Sequence, residues 1–226
     1  MLVVDDAAEH RELLEGEGFV VDAAAGGAAA IAAAKRLSPD VLLLDLGLSG
    51  EHGVEVCRRL RAFTDAYIVV VSGRPDEDDK LAALEAGADD YVTKPFSARE
   101  LVARIRAMLR RPRAPRAAAP SGNVRRVGRI EVDLDAREVR VGGRAVALTR
   151  LEFELIAALS ERPRVALTRS QLLDRVWGPN WFGDEHVVDV HVSKLRQKLG
   201  DDARAPRLLS TVRGVGYRLD GGRDRP

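Results

Sequence analysis

In the first half of the chain the apolar positions fall into short continuous runs, and each run closes on polar residues. Leu2-Val3-Val4 is followed by Asp5-Asp6, Val41-Leu42-Leu43-Leu44 by Asp45, Ile68-Val69-Val70-Val71 by Ser72, and Tyr91-Val92-Thr93 by Lys94. Runs that are apolar at consecutive rather than alternate positions predict strands buried on both faces. A further strand is expected at Phe19–Asp22. Helical spacing recurs between the runs, over Glu9–Glu15, Ala28–Leu37, Val54–Ala62, Asp78–Ala86 and Ala98–Leu109. Gly16, Gly18 and Gly87 stand where helices should stop, and Ser97 suits the N-cap of the last one. Five strand–helix units predict an α/β domain with a doubly wound parallel sheet.

The pattern changes in the second half. Arg129–Leu134, Glu138–Val141 and Ala145–Leu148 alternate with period two, with Gly142-Gly143 at one turn, which predicts a small antiparallel sheet. Thr149 with Glu152 three residues on forms a capping box for a helix over Arg150–Ser160. A second helix is expected over Ser170–Val176 and a third from about Asp184 to Leu199. The chain then closes on a hairpin of Leu208–Val212 and Tyr217–Leu219 with a glycine-bearing tip.

At 226 residues the chain is long enough for two domains. A stretch rich in Arg, Pro and Ala from Arg110 to Asn123, without apolar periodicity, reads as a semi-extended linker between them. The expected division is 1–111, a linker 112–124, and 125–222. Residues 1–109 carry 12 Lys/Arg against 20 Asp/Glu, and residues 110–226 carry 24 against 15, so net −8 is joined to net +9. The basic half is expected to meet a polyanion, most plausibly nucleic acid. Cys57 is the only cysteine, which excludes an intramolecular disulfide and fits a reducing cytoplasm. Its helical context reads as a small buried side chain. No run approaches the roughly 20 apolar residues of a membrane span and no basic-then-apolar leader opens the chain, so a cytoplasmic protein without membrane contact is expected.

The strand ends carry the chemistry. In open α/β sheets, ligands bind beyond the carboxyl ends of the strands. Asp5, Asp6 and Asp45 would converge there into an all-oxygen pocket suited to Mg²⁺, which prefers octahedral oxygen ligands and is usually completed by phosphate. Without a cation the three carboxylates would repel one another. An aspartate can also accept a phosphoryl group, and its charge would then need the metal, the ammonium of Lys94 and the hydroxyl of Ser72 around it. Lysine makes up only 5 of the 36 basic residues, so Lys94 directly before Pro95 stands out as a point-charge phosphate contact.

Leu2–Asp6, Val41–Asp45, Val71-Ser72-Gly73 and Asp89–Phe96 together resemble the receiver domain of two-component response regulators, a flavodoxin-like fold. The resemblance implies Asp45 as phospho-acceptor and a Mg²⁺ ion on Asp5, Asp6, Asp45 and the backbone carbonyl of Gly47. It implies Ser72 as the hydroxyl that follows the phosphoryl group, Lys94 as its ammonium partner, a cis Lys94–Pro95 bond, and Tyr91 as the aromatic that turns inward on activation. It also implies dimerisation through the fourth helix, fifth strand and fifth helix. The matching charged positions are Lys80, Glu100, Asp89 with Arg104, and Asp90 with Arg111, and Leu84 is the apolar centre. Exposed pairs are worth only about 0–1 kcal/mol each, so this dimer should be weak and easily switched. Two departures stand out. The stretch from Asp6 to Gly18 is about one turn shorter than is common in the family, leaving a first helix of roughly two turns. Gly47 and Ser49 stand where Met and Pro are common, so the loop after Asp45 should be more mobile.

On the third helix of the second half, Val188, Val192, Leu195 and Leu199 form the core stripe. His186, Val190, Ser193 and Gln197 lie opposite, flanked by Val187 and Lys194, with Arg196 and Lys198 to the sides. An exposed Val190 among polar groups could touch a thymine methyl, and Lys194 could reach guanine or phosphate. His186 and His191 have no second ligand set at zinc spacing. Helix, loop, helix and hairpin, with Val188–Val192 and Thr211–Arg218 as signature, resemble the winged-helix α+β domain of the OmpR/PhoB family. That resemblance implies that the third helix reads the DNA major groove and that Thr211 and Arg213 on the wing contact backbone or minor groove. It makes the loop Trp177–Gly183 a candidate surface for RNA polymerase.

The expected protein is thus a non-enzymatic, phosphorylation-regulated DNA-binding regulator, whose partners are a sensor histidine kinase, a second copy of itself and direct-repeat double-stranded DNA. Phosphorylation would shift an existing equilibrium. One rival is a winged-helix transcription factor whose receiver only dimerises; the complete set Asp45, Asp5, Asp6, Ser72 and Lys94 argues against it. A second is a phosphatase working through an aspartyl-phosphate, which wants an acid two residues after the nucleophile. Gly47 stands there instead.

Overall fold

The computed structural model describes residues 1–4, 9–48, 52–73, 76–110, 122–179, 181 and 183–222. It divides into two compact units, Met1–Arg111 and Pro112–Pro226. The first contains β1 (Leu2–Val4), α1 (Glu9–Gly16), β2 (Asp22–Ala24), α2 (Gly27–Leu37), β3 (Val41–Asp45) and α3 (Gly53–Arg61). It continues with β4 (Tyr67–Ser72), α4 (Glu77–Ala86), β5 (Asp90–Thr93) and α5 (Ala98–Leu109). All strands are parallel, in the order β2-β1-β3-β4-β5. Every residue of β1 and β4 is buried, as are the four apolar residues of β3, because helices cover both faces of the sheet. The strand order reverses at β1, so the crevice beyond the ends of β1 and β3 is where such a sheet takes its ligand.

Two expectations shift in register. The second strand starts at Asp22, not Phe19. The Phe19 amide still bonds to the Leu14 carbonyl at 3.1 Å, closing the turn that ends α1, and pairing with β1 begins only at Asp22. Val20 is left 84% exposed, so apolar character alone misplaced this edge strand. Gly53 opens α3 because the chain before it passes too close for a side chain: a Cβ there would lie 2.6 Å from Leu46 Cα. That contact seats α3 directly against the loop that follows Asp45.

The second unit opens with the antiparallel sheet β6 (Val124–Val127), β7 (Ile130–Asp133), β8 (Glu138–Val141) and β9 (Arg144–Val146). β6 has two arginines in its four residues, which hid it from an apolar-pattern reading, but Val127 still pairs with Ile130 across a two-residue turn. Next come α6 (Arg150–Ser160), β10 (Leu167–Thr168), α7 (Arg169–Val176) and α8 (His186–Leu199). The hairpin β11 (Leu209–Val212) and β12 (Gly216–Leu219) closes the fold, with β12 also pairing with β10. Both α6 and α7 start with complete capping boxes, Thr149 with Glu152 and Thr168 with Gln171. Gly216 must be glycine, since a Cβ there would meet the Leu167 carbonyl oxygen at 2.1 Å. The core gathers Leu155, Ile156, Leu159, Leu172, Trp177, Val188, Val192, Leu195 and Leu219 from α6, α7, α8, β12 and the residue after α7. Arg125 ties the first sheet to α6 by donating to the Ala157 carbonyl at 3.0 Å.

Candidate functional site

The parallel register sets the first site. β4 lies between β3 and β5, Asp45 is level with Val71, and Ser72 is level with Thr93. The tips of β3 and β4 therefore present Asp45 and Ser72 side by side, and Lys94 follows β5 on the far side. The Lys94 ammonium reaches back to Asp45 Oδ2 at 2.6 Å, and the Gly47 amide donates to Asp45 Oδ1 at 2.7 Å. The Asp45 side chain is 14% exposed, so it is reachable from solvent but held. The Lys94 amide donates to the Ser72 carbonyl at 2.7 Å, extending the β4–β5 ladder past Thr93, and the Lys94–Pro95 bond is cis. Ser72 and Tyr91 are both buried.

Asp5, Asp6, Ser49 and Arg111 lie outside the described residues. Strand β1 brings the chain to Val4 beside Leu44, the residue before Asp45, and the two acids follow next in sequence. A carboxylate offers about four lone-pair directions, of which Asp45 uses one per oxygen in the two bonds above. The remaining directions, together with oxygen donors only, fit a hard divalent cation.

The charged residues expected across the dimer face also have partners within their own receiver. Asp89 is one of them. It is buried (2% exposed), forms a short ion pair with Arg61, and accepts the Ile68 amide at 2.8 Å. Arg61 in turn donates to the carbonyls of Gly87, Thr64 and Ala66. Arg104 bonds Asp90 at 2.9 Å and Glu100 at 2.7 Å. Burial alone would lower its pKa, but these two carboxylates outweigh that and raise it. Once buried, each of these charges needs a partner inside its own receiver. Leu84, expected at the apolar centre, is also buried, at 2% exposed. Lys80 is half-buried.

In the second unit, α8 shows His186, Ser193 and Gln197 to solvent, with Val190 and Lys194 half-buried beside them, while Val187 and His191 turn inward. Arg213 is exposed at the hairpin tip. Arg196, expected at the side of the helix, is turned inward. It is 8% exposed and donates to the Leu209 carbonyl at 2.8 Å and to Thr211 Oγ1 at 2.7 Å, both on β11. Lys198 reaches Glu152 of the α6 capping box at 2.6 Å. Asp189, given no role by the sequence reading, accepts from Tyr217 Oη at 2.6 Å and from Arg169 Nε at 2.7 Å. Burial would raise the Asp189 pKa, yet the bonds from Tyr217 and Arg169 hold it below the usual carboxylate value. Burial, reinforced by Asp189, pushes the Tyr217 phenol up to about 12. An acid inside an otherwise basic recognition surface was the signal for this cluster. In the loop after α7, Trp177 is buried, with its ring 5.6 Å from His191 and 6.2 Å from Trp181; Asn180 and Phe182 lie outside the described residues.

A flavodoxin-like sheet with an aspartate–lysine pair at its carboxyl edge, joined in one chain to a winged helix, defines a response regulator with a DNA-binding output domain. The comparisons agree over both units. Residues 1–106 match the response regulator receiver domain, and residues 143–219 match the C-terminal domain of transcriptional regulatory proteins. The chain belongs to the OmpR/PhoB-type family of two-component response regulators. It is 43% identical over 225 residues to the sensory transduction protein RegX3 of Mycolicibacterium smegmatis, covering 98% of this chain and 99% of that one. It is 44% identical over 222 residues to the DNA-binding response regulator MtrA of the same organism, covering 96% and 95%. A solved structure of a RitR mutant superposes with a TM-score of 0.71 at 28% identity, over 96% of this chain and 97% of that one. Family membership implies a histidine kinase partner and DNA binding, and receiver domains of this kind generally bind Mg²⁺. Such regulators are typically non-enzymatic transcription factors. Among the described residues, no helix is long and apolar enough to cross a membrane.

Proposed function

We propose that Asp45 is the residue phosphorylated by the kinase and that the acyl phosphate controls DNA binding. The observation that carries this is the 2.6 Å contact between Lys94 and Asp45 Oδ2 at the carboxyl edge of the sheet, with Ser72 on the strand between them. An Asp45 oxygen attacks the phosphorus of the kinase phosphohistidine, the N–P bond breaks with its electron pair staying on the ring nitrogen, and the ring leaves as neutral imidazole because its other nitrogen already carries a proton. Lys94 then moves from the carboxylate to a phosphoryl oxygen, so its charge is kept through the transfer. The Gly47 amide, already on Oδ1, holds the carboxylate at a fixed angle. Asp5, Asp6, Asp45 and the Gly47 carbonyl would hold Mg²⁺, which when bound neutralises the incoming phosphoryl charge. Ser72 follows the phosphoryl group; Tyr91, expected to turn inward on activation, is already buried here, and the phosphoryl group holds it there.

Phosphorylated receivers pair through the face of α4, β5 and α5. Lys80 and Glu100 supply charged contacts there, together with Arg111, and Leu84 and the Asp90–Arg104 pair stiffen the face from beneath. Two winged domains then bind a direct repeat. His186, Val190, Ser193, Lys194 and Gln197 face the major groove with Lys198 at the edge, and Thr211 and Arg213 reach the backbone or minor groove. The loop around Trp177 and Trp181 meets RNA polymerase. The single reduced cysteine, Cys57, suits the cytoplasm as the working compartment.

Labelling with acetyl phosphate and Mg²⁺, read by intact mass and followed by gel filtration and DNA selection, tests this reading. One phosphoryl adduct is expected on the wild type and none on Asp45→Asn, with dimer and DNA affinity rising only in the labelled wild type. Equal labelling of Asp45→Asn would overturn it.

A further inference from the structure

The recognition helix and the wing are separate in sequence but are bolted together at two points. At one, Tyr217 on β12 donates its phenol to Asp189 on α8 at 2.6 Å. At the other, Arg196, two turns further along α8, places its Nε on the Leu209 carbonyl and its Nη2 on Thr211 Oγ1, both on β11. The guanidinium of Arg196 also lies over the Tyr217 ring, 5.5 Å from its centroid, so the two bolts touch. Arg169 covers the ring as well, at 5.3 Å, and anchors Asp189 to the start of α7.

We infer that Arg196 and Tyr217 are positioning residues that lock α8 to the wing, so that the helix and the wing tip meet DNA as one rigid unit, and that Arg196 is not itself a DNA contact. This rests on the reading that α8 and Arg213 bind DNA. Three observations support it. Arg196 is buried, and its Nε and Nη2 already donate to β11, so turning it to a phosphate would abandon the Leu209 carbonyl. Its bond to Thr211 Oγ1 occupies an acceptor direction of that hydroxyl, which leaves the O–H as a donor for the exposed face of β11. The bolts also sit on the hairpin strands below the exposed tip residues Arg213, Gly214 and Val215, where they fix the angle of the hairpin without reaching its end.

A positioning residue acts through another residue, so its effect must vanish when that residue is removed. The test uses the full-length protein, a duplex that the wild type selects from a random pool, and a scrambled duplex of equal length. Tyr217→Phe, which removes one oxygen and keeps the ring, should bind the selected duplex about fivefold to tenfold more weakly, the loss of one hydrogen bond's worth of order. It should bind the scrambled duplex unchanged, with the same salt dependence. In an Arg213→Ala background, Tyr217→Phe should add less than about a twofold loss. Arg196→Ala should follow the same pattern, with tryptophan fluorescence confirming that the domain is folded. If Arg196→Ala unfolds, the Tyr217→Phe cycle decides alone. Additive losses, or equal losses on both duplexes with the salt slope reduced by about one, would show a direct phosphate contact and overturn the inference. A wild type that prefers no duplex would defeat the DNA-binding reading instead, and the inference with it.

Discussion

Lys94 Nζ lies 2.6 Å from Asp45 Oδ2, and these two side chains come from opposite sides of β4. The contact neutralises a carboxylate whose side chain is only 14% exposed. It also holds a cation where a phosphoryl oxygen would arrive. Lys94→Ala should therefore slow labelling by acetyl phosphate by about tenfold to a hundredfold, the scale on which single charge-stabilising groups contribute. Lys94→Arg should not restore the rate, because a planar fork cannot replace a compact ammonium at this spacing. Intact-mass time courses measure both, and wild-type rates in Lys94→Ala would refute the role.

The Arg61–Asp89 pair sits at the opposite end of the receiver and joins α3, the end of α4 and the start of β4. Removing one buried partner strands the other, so Asp89→Ala should cost about 3–5 kcal/mol. Both tryptophans, Trp177 and Trp181, belong to the second unit. In urea, the loss should appear in the far-UV circular dichroism transition of the receiver while the tryptophan fluorescence transition stays in place. A shift of both transitions together would contradict a clamp local to the receiver.

Gly53 tests how closely the loop after Asp45 must pack. A Cβ at this position would fall 2.6 Å from Leu46 Cα, and backbone cannot yield as a side-chain tip can. Gly53→Ala should destabilise the receiver by about 1–3 kcal/mol. It should also slow phosphorylation, because the displaced loop carries the Gly47 amide that orients Asp45. Urea unfolding and the mass time course are read on the same sample. Unchanged stability would mean that the loop relaxes freely.

Continuous apolar runs ending in charge made the parallel sheet and its reactive edge legible from sequence, since both follow from local chemistry. The two-arginine strand β6 and the edge strand β2 were not legible, because pairing rather than apolar content decides them. The partners of buried charges were harder still. Asp89 and Asp90 are neighbours in the chain, yet one turns to Arg61 and the other to Arg104. Only the packing of α3 and α5 against opposite faces of the sheet tells them apart. Arg196 looked like a side-face DNA contact on a helical wheel. The wheel could not show that β11 would lie against that side.

The pH dependence of the winged domain follows from Asp189 and Tyr217. Asp189 titrates lower when folded than when unfolded, where its value is 3.8. Its stabilisation is therefore present above that value and lost as pH falls through the folded pKa. Tyr217 shifts the other way, from 10.0 to about 12, because burial and the facing carboxylate disfavour the phenolate more than Arg169 and Arg196 favour it. The neutral phenol thus contributes stability that is complete below 10.0 and fades as pH rises through about 12. Measured by tryptophan fluorescence in denaturant, the stability difference between wild type and Tyr217→Phe should be flat through the neutral range and shrink in the alkaline window. The difference from Asp189→Asn should shrink in acid and, because Asp189 helps raise the Tyr217 pKa, change again in the alkaline window. Tyr217 and Asp189 shift each other, so only groups outside this pair cancel on subtraction; a Tyr217→Phe difference that stays constant through pH of about 12 would show that the phenol does not donate to Asp189.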